Sequence, residues 1–306
     1  EESRENGHII DHNYFGHRPP LGGNGGETIR IGVSDYSRTM SETVIARNYF
    51  ERCDGEVEII SNKSEGNTIS ENVFYESRGA VVLRHGGNNI VSRNVFFGNG
   101  VSDTGGIRVI NENQTVTENY FEGLRGQKFL SALTIMNGVP NSPINRYHQV
   151  QNANVSNNTL VDVASIGFAV GSDEERSAPP VTSAFRGNLI VTDAEEPVSV
   201  FDDITGIAFS DNLSNNSALE SYGASIDPAI ELERAENGLL YLRGDDSTTG
   251  AGAPRDLNPV KRDATGPTWF EKPDQSSDGS RSVKVKKGAN ALMREILKAQ
   301  DGATLV

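Results

Sequence analysis

The chain has 306 residues, a net charge of −14 and 35% hydrophobic residues. The acidic balance argues against a nucleic-acid partner, because binding a duplex requires a basic surface. No apolar run approaches the roughly 18 residues of a membrane-spanning helix, so no membrane span is predicted. Cys53 is the single cysteine, which excludes an intrachain disulfide. The 32 glycines, together with the near-absence of helical periodicity before residue 287, favour an all-β solenoid.

A short pattern recurs along the chain: an asparagine, any residue, and then an aromatic or aliphatic residue. Clear copies begin at Asn13, Asn48, Asn72, Asn94 and Asn119, and weaker copies begin at Asn158, Asn188 and Asn212. The basic period of 22 to 25 residues, with insertions in some turns, is typical of a solenoid. Strand-like runs in each repeat are joined by turns without helices, which predicts a parallel β-helix.

The asparagines are expected to stack at one corner of the coils over residues 8–215. Their side-chain amides would bond to the neighbouring coils, and the residue two positions on would fill the interior. An asparagine also tolerates the left-handed turn conformation that such a corner requires.

The repeat divides the chain into three parts. Residues 1–243 are predicted to form a parallel β-helix that begins without its N-terminal coils. Residues 244–282 are rich in Gly, Pro, Ser and Asp and are predicted to be a loop and linker. Residues 283–306 combine helix-spaced apolar residues with a final strand, which predicts a helix followed by a strand.

Charged residues recur at intervals close to one coil. Glu56 and Glu58 lie two apart in a β-rich run, so their carboxylates should leave the same face and suit a hard cation such as Ca²⁺. Arg30, Glu58, Arg84 and Arg108 are spaced so that they would form one ladder. From periodicity alone, a structural ladder of ion pairs explains this pattern equally well, and a lone Lys63 would be a solvated turn residue.

Four runs in this order resemble polysaccharide lyase family 6, which contains alginate lyases and chondroitinase B. The runs are residues 24–32, 56–63, 83–86 and 105–110, and the resemblance extends over roughly residues 8–275. It implies a right-handed parallel β-helix in a secreted or periplasmic polysaccharide lyase. Residues 283–306 resemble the capping helix and first strand that open a second β-helix domain in the same family. The chain is therefore expected to be the middle part of a two-domain alginate lyase, with residues 1–243 as its catalytic β-helix.

The resemblance implies roles for individual residues. Lys63 matches the general base of the family and Arg84 its general acid. Glu56 and Glu58 match Ca²⁺ ligands, with Asn24 as the matching asparagine and Asn48 or another upstream polar residue as the alternative. The expected substrate-binding residues are His85, Arg108, Arg146 and Tyr147, of which Arg146 and Tyr147 lie in a long insertion where β-helix loops build clefts.

Such a lyase removes the weakly acidic C5 proton of a uronate. Ca²⁺ on the substrate carboxylate would stabilise the enolate-like transition state. A lysine acts as the base only in its neutral form. An arginine donates a hydrogen bond to the leaving O4 far more easily than a proton, so Arg84 is an acid by resemblance and an electrostatic stabiliser by its chemistry. Tyr147 and His85 are the next candidates for the base.

The predicted partner is an anionic polysaccharide, alginate, and a homodimer is left open. A dermatan sulfate lyase of the chondroitinase B type is the closest alternative, although it would require more basic residues for the sulfate groups. A β-helix hydrolase would need clustered aspartates, and the ladder positions hold Glu, Lys and Arg instead. A non-catalytic β-helix adhesin, with a purely structural polar ladder, remains the third alternative.

Overall fold

The computed structural model describes residues 6–244 and 250–275, together with two short strands at 281–283 and 303–305. Each coil of the described chain contributes short strands to three sheets, and every strand in these sheets pairs in parallel with its counterparts in the adjacent coils. The predicted all-β parallel β-helix is therefore confirmed.

Three parallel sheets form the walls of the solenoid, and each runs through the coils in chain order. Sheet 1 contains Ile9–Asp11, Val44–Ala46, Thr68–Ser70, Ile90–Ser92, Thr115–Thr117, Asn154–Ser156, Ser183–Arg186 and Ile207–Ser210. Sheet 2 contains Tyr14–Phe15, Tyr49–Glu51, Val73–Tyr75, Val95–Phe97, Tyr120–Glu122, Thr159–Val161, Leu189–Val191, Asn212–Ser214 and Ala224–Ile226. Sheet 3 contains Ile29–Ile31, Glu58–Lys63, Gly79–His85, Thr104–Val109, Leu133–Met136, Ile166–Val170 and Val198–Val200. The 3-10 helices are Ser34–Tyr36, Lys128–Leu130, Ser217–Tyr222 and Arg262–Ala264.

The recurring asparagines form one continuous ladder at the corner between sheets 1 and 2. Asn72 donates from its backbone N and from Nδ2 to Oδ1 of Asn94, both at 3.0 Å. Asn94 repeats both bonds to Asn119, at 2.9 and 3.0 Å. The same pattern links Asn13, Asn48, Asn72, Asn94, Asn119, Asn158, Asn188 and Asn212. The predicted stacking at one corner is confirmed.

The left-handed conformation at this corner belongs to the residue before each ladder asparagine, so its assignment to the asparagine was wrong. Arg47, Glu71, Arg93 and Glu118 have φ between 52° and 59°. This placement leaves the asparagine free to point inward and satisfy the backbone of two coils, while the preceding side chain points to solvent.

Aromatic side chains stack inside the coils beside the ladder. Phe50, Phe74, Phe96 and Phe121 lie in register, with ring centroids 4.5 to 4.9 Å apart. A second polar ladder, which the repeat did not reveal, joins another corner through Thr43, Asn67, Asn89 and Gln114. Buried amides and stacked rings therefore hold the parallel register from coil to coil.

The outer face of sheet 2 is covered by the chain that follows the solenoid. The antiparallel pair Leu232–Arg234 and Leu240–Leu242, then residues 250–275, pack over an aromatic stripe that includes Tyr49 and Tyr120. Within this cover, Nε of Arg262 donates to Glu51 at 2.5 Å. Residues 250–275 were predicted as loop and linker; they contain no described strand, but Leu257 and Thr265 in them are buried.

The chain ends in strands Arg281–Val283 and Ala303–Leu305, which pair in parallel. The capping helix predicted between them lies outside the described residues. The start of a second β-helix domain and the boundary at residue 243 therefore stay predictions. Among the described residues, no helix is long and apolar enough to cross a membrane.

Candidate active site

Two bulges in sheet 3 expose chemistry-bearing side chains on its outer face. Relative to the strand Gly79–His85, the strand Glu58–Lys63 carries one extra residue between Glu58 and Ile60. As a result, Ile59 and Ile60 both belong to the interior core. The second irregularity lies between Ser61 and Lys63, where the partner strand carries the extra residue. Bulges of this kind re-aim side chains and are common beside active sites.

Three carboxylates converge at the start of these strands. Oxygen atoms of Glu27, Glu56 and Glu58 lie within 4.8 Å of one another. The backbone N–H groups of Gly25 and Gly26 donate to Glu56, at 2.9 and 3.3 Å. Three carboxylates this close repel each other unless positive charge is placed among them.

Lys63 and Arg84 provide positive charge on two sides of this cluster. Nζ of Lys63 lies 3.8 Å from Glu27. Arg84 makes a short hydrogen bond to Glu58, whose other oxygen accepts from Ser61. Glu58 is 1% exposed, whereas the side chain of Arg84 is about one-third exposed. The predicted base and acid therefore lie on adjacent coils and flank one acidic cluster.

The sequence spacing misjudged the register of the predicted charged ladder. Arg30 pairs with Ser61, Ser61 pairs with Val82, and Val82 pairs with Arg108. Glu58 pairs with Ala80 instead, so neither Glu58 nor Arg84 lies in line with Arg30 and Arg108, and the predicted ladder of Arg30, Glu58, Arg84 and Arg108 was wrong in register. The reason at Arg30 is the length of the coil, because its partner Ser61 comes three residues after Glu58.

The structure places the two candidate asparagine ligands in different surroundings. Asn24 is exposed in the loop whose next two residues hold Glu56. Asn48 is buried in the asparagine ladder, so that alternative is wrong. Glu27, which the sequence reading did not assign, is the third carboxylate of the cluster. Glu27 lies in the run of residues 24–32. Its position next to the loop that binds Glu56 is the feature by which the sequence could have identified it as a ligand.

The insertion places Tyr147 over the site. The guanidinium carbon of Arg84 lies 5.6 Å from the centre of the Tyr147 ring, and the His85 ring is 5.8 Å from it. Nδ1 of His85 donates to the carbonyl of Arg146 at 3.0 Å. Burial, then the charge of Arg84, lowers the pKa of His85 to about 4, so its ring is neutral near pH 7.

The two remaining predicted substrate-binding residues, Arg108 and Arg146, form bonds to other groups of the protein. Arg108 is 6% exposed, its Nε donates to the carbonyl of Phe129 at 2.9 Å, and burial lowers its pKa. The side chain of Arg146 is exposed and pairs with Glu175. The structure thus brings Lys63, Arg84, His85 and Tyr147 together, while Arg146 turns its guanidinium toward Glu175.

A parallel β-helix with carboxylates, a lysine and an arginine on one exposed sheet is the architecture of a β-helix polysaccharide lyase. Residues 1–238 match the family model for chondroitinase B. None of the curated proteins matches the chain.

Solved structures agree with this match. The alginate lyase AlyGC of polysaccharide lyase family 6 superposes with a TM-score of 0.84 at 52% identity, over 98% of this chain and 42% of the AlyGC chain. A mutant of AlyGC gives a TM-score of 0.85 with the same identity and coverage. A mannuronic acid specific family 6 lyase from human gut microbiota is 34% identical, with a TM-score of 0.64, over 74% of this chain and 54% of that chain.

The chain therefore belongs to polysaccharide lyase family 6, the chondroitinase B family. It spans less than half the length of AlyGC.

Proposed function

We propose that this chain carries the catalytic site of a lyase that cleaves alginate by Ca²⁺-assisted β-elimination. One observation carries the proposal: Lys63 and Arg84 flank three converging carboxylates on an exposed sheet, beneath Tyr147. A structural ladder needs alternating charges, whereas here Glu27, Glu56 and Glu58 gather at one point. The membership of family 6 and the similarity to AlyGC support the same reaction.

The donor set fits Ca²⁺. Glu27, Glu56 and Glu58 offer only carboxylate oxygens, which hard cations prefer, and their approach to within 4.8 Å matches ligands arranged around one ion. Asn24, in the loop beside Glu56, would add an amide oxygen. When bound, Ca²⁺ would neutralise the uronate carboxylate and so acidify the neighbouring C5 proton.

Lys63 is proposed as the base. In the structure it serves as a counter-charge for Glu27. With a cation among the carboxylates, Lys63 would no longer be needed as their counter-charge, and its amine, after losing its own proton to solvent, would take the C5 proton on Nζ. The electrons of the C5–H bond then form the C4=C5 double bond, and the C4–O4 bond breaks.

Arg84 is proposed to stabilise the leaving O4. Burial acts to lower the pKa of Arg84, but the charge and hydrogen bond of Glu58, together with Tyr147 and Glu56, outweigh burial and the pKa is raised. Arg84 therefore stays charged and acts by donating a hydrogen bond to the developing negative charge. Tyr147 covers its guanidinium and restricts its orientation.

Alginate is favoured over a sulfated substrate because the net charge is −14 and the site holds few cations beyond those that pair with carboxylates. Two further solved alginate lyases of 26% identity are complexes, one of family 6 with a trisaccharide and one with G6. His85, Arg108, Arg146 and Tyr147 are proposed as substrate-binding residues. A secreted or periplasmic location and a homodimer stay predictions.

The test is to incubate the protein with alginate and with dermatan sulfate and to follow the ultraviolet absorbance of the unsaturated uronate. Absorbance that grows with alginate alone is the expected result. Growth only with dermatan sulfate would move the substrate to the chondroitinase class. New reducing ends without absorbance would indicate hydrolysis and overturn the elimination, and no cleavage of either polymer would leave only the adhesin alternative.

A further inference from the structure

Residues 137–148, named the flap here, follow the strand Leu133–Met136 and reach Arg84 and His85. The flap is fixed at its base, where the backbone N–H of Gly138 donates to Ala178 at 2.8 Å and the N–H of Val139 donates to Tyr147 at 2.7 Å. Near its end, Tyr147 lies over Arg84 and His85. The position of the flap therefore decides how Arg84 is covered.

A loop from a much earlier coil holds the tip of the flap. Ser37, which is completely buried, donates its hydroxyl to the carbonyl of Ile144 at 2.7 Å. Gly86 leaves room for the backbone of Ser37 beside it. Its φ is +82°, and a Cβ at this position would lie 2.7 Å from the carbonyl oxygen of Ser37 and 2.5 Å from Ser64. Gly86 directly follows Arg84 and His85, so the same motif supplies the site residues and the room for the loop.

A second contact from the same loop fixes the other side of the flap. Arg38 donates to Glu112 at 2.7 Å and lies 3.5 Å from Glu65. Glu112 in turn lies 3.8 Å from Nδ1 of His148, the residue after Tyr147. The backbone of His148 is also bonded to Asn111, the neighbour of Glu112. Arg38 therefore secures the coil that carries the end of the flap.

We infer that Ser37 and Arg38 are positioning residues for the elimination, acting through the flap. Neither touches the acidic cluster. Their contacts hold Ile144 and His148 on either side of Tyr147, and Tyr147 in turn limits the orientations of the Arg84 guanidinium. This inference rests on the proposed function, because it assigns a role in the reaction to a contact more than 100 residues away in sequence.

The experiment combines kinetics with amide hydrogen exchange on Ser37→Ala and Arg38→Gln. The control is Arg47→Gln, because Arg47 also bridges two acidic residues of other coils, Asp11 and Glu71, away from the flap. Loss of one hydrogen bond to the flap is expected to lower kcat about five- to tenfold with little change in KM. Exchange of the amides in residues 139–148 should become faster, while the thermal unfolding midpoint of Arg38→Gln stays near that of the parent. The control should change none of these quantities.

The decisive step repeats both substitutions in a Tyr147→Ala background. If Ser37 and Arg38 act through Tyr147, their substitutions should lower kcat almost no further in the Tyr147→Ala background. An equal loss in both backgrounds, or the same loss in Arg47→Gln, would overturn the inference. Arg38→Lys should recover part of the rate, since it keeps the charge beside Glu112. Unchanged flap exchange in both variants would also overturn it, and this readout does not need activity. A parent protein without elimination activity would instead reject the proposed function.

Discussion

Arg84 reaches across one coil and pairs with the carboxylate of Glu58, which is 1% exposed. A buried carboxylate without a partner is unfavourable, so Arg84 compensates the carboxylate of Glu58 and is itself held beneath Tyr147. The pair therefore links the acidic cluster to the group proposed to stabilise the leaving oxygen.

The first prediction separates the charge of Lys63 from its ability to lose a proton. Lys63→Arg should lower kcat at least about 10³-fold, as Lys63→Ala does, because an arginine is not deprotonated near neutral pH. The ultraviolet absorbance of the product measures the rate. Lys261→Arg, at an exposed position on the cover of sheet 2, is the matched control and should be fully active. Substantial activity of Lys63→Arg would show that the lysine only binds, and Tyr147 or His85 would become the candidate base.

The second prediction concerns the metal. Exhaustive chelation should abolish turnover, and added Ca²⁺ should restore it. Glu27→Gln should weaken Ca²⁺ binding about 10- to 100-fold, measured by calorimetry on the metal-free protein, because it removes one of three clustered charges. Glu71→Gln, which changes a carboxylate paired with Arg47 instead, should leave the affinity unchanged. Full turnover after chelation would contradict the assignment.

The third prediction tests the asparagine ladder. Asn94 is completely buried; its Oδ1 accepts from the backbone and side chain of Asn72, and its Nδ2 donates to Ile69 and Asn119. Asn94→Ala should lower the free energy of unfolding by about 3 to 5 kcal/mol, because it leaves several buried groups without partners.

Asn154 provides the comparison for that measurement. Its Oδ1 also accepts from the next coil, from Nε of Arg186, but the bond is exposed to solvent. Asn154→Ala should therefore cost less than about 1 kcal/mol in urea unfolding. Equal costs at the two positions would show that burial of the ladder contributes nothing.

The repeat predicted the fold well because an asparagine ladder and a phenylalanine stack must recur once per coil. Asn94 and Phe96 follow this rule, since Asn94 lies in the asparagine ladder and Phe96 in the phenylalanine stack, as the period predicts. The site was less predictable. Arg30 pairs with Ser61, three residues after Glu58, and no local pattern marks how long the coil between two paired residues is.

Contacts that depend on long loops were also hidden from the sequence. Ser37 meets Ile144 across 107 residues. Such contacts depend on where each insertion leaves the solenoid, which periodicity does not specify. The side chain of Arg146 shows the same limit, since its partner Glu175 comes from a different loop.

The last prediction follows from the burial of His85. Its ring is 2% exposed, and burial lowers its pKa to about 4, below the value of about 6.5 expected in the unfolded chain. Between these two values the unfolded state binds a proton that the folded state does not, so the free energy of unfolding falls as the pH falls from about 6.5 to about 4. From about pH 7 to about pH 5, this residue alone should lower the free energy of unfolding by about 2 kcal/mol.

His85→Gln cannot take up that proton and keeps a donor for the carbonyl of Arg146. Its free energy of unfolding in urea should therefore differ less between the two pH values than that of the parent protein. His8→Gln changes an exposed histidine and should keep the parent difference. An unchanged difference in His85→Gln would show that other groups cause the acid sensitivity.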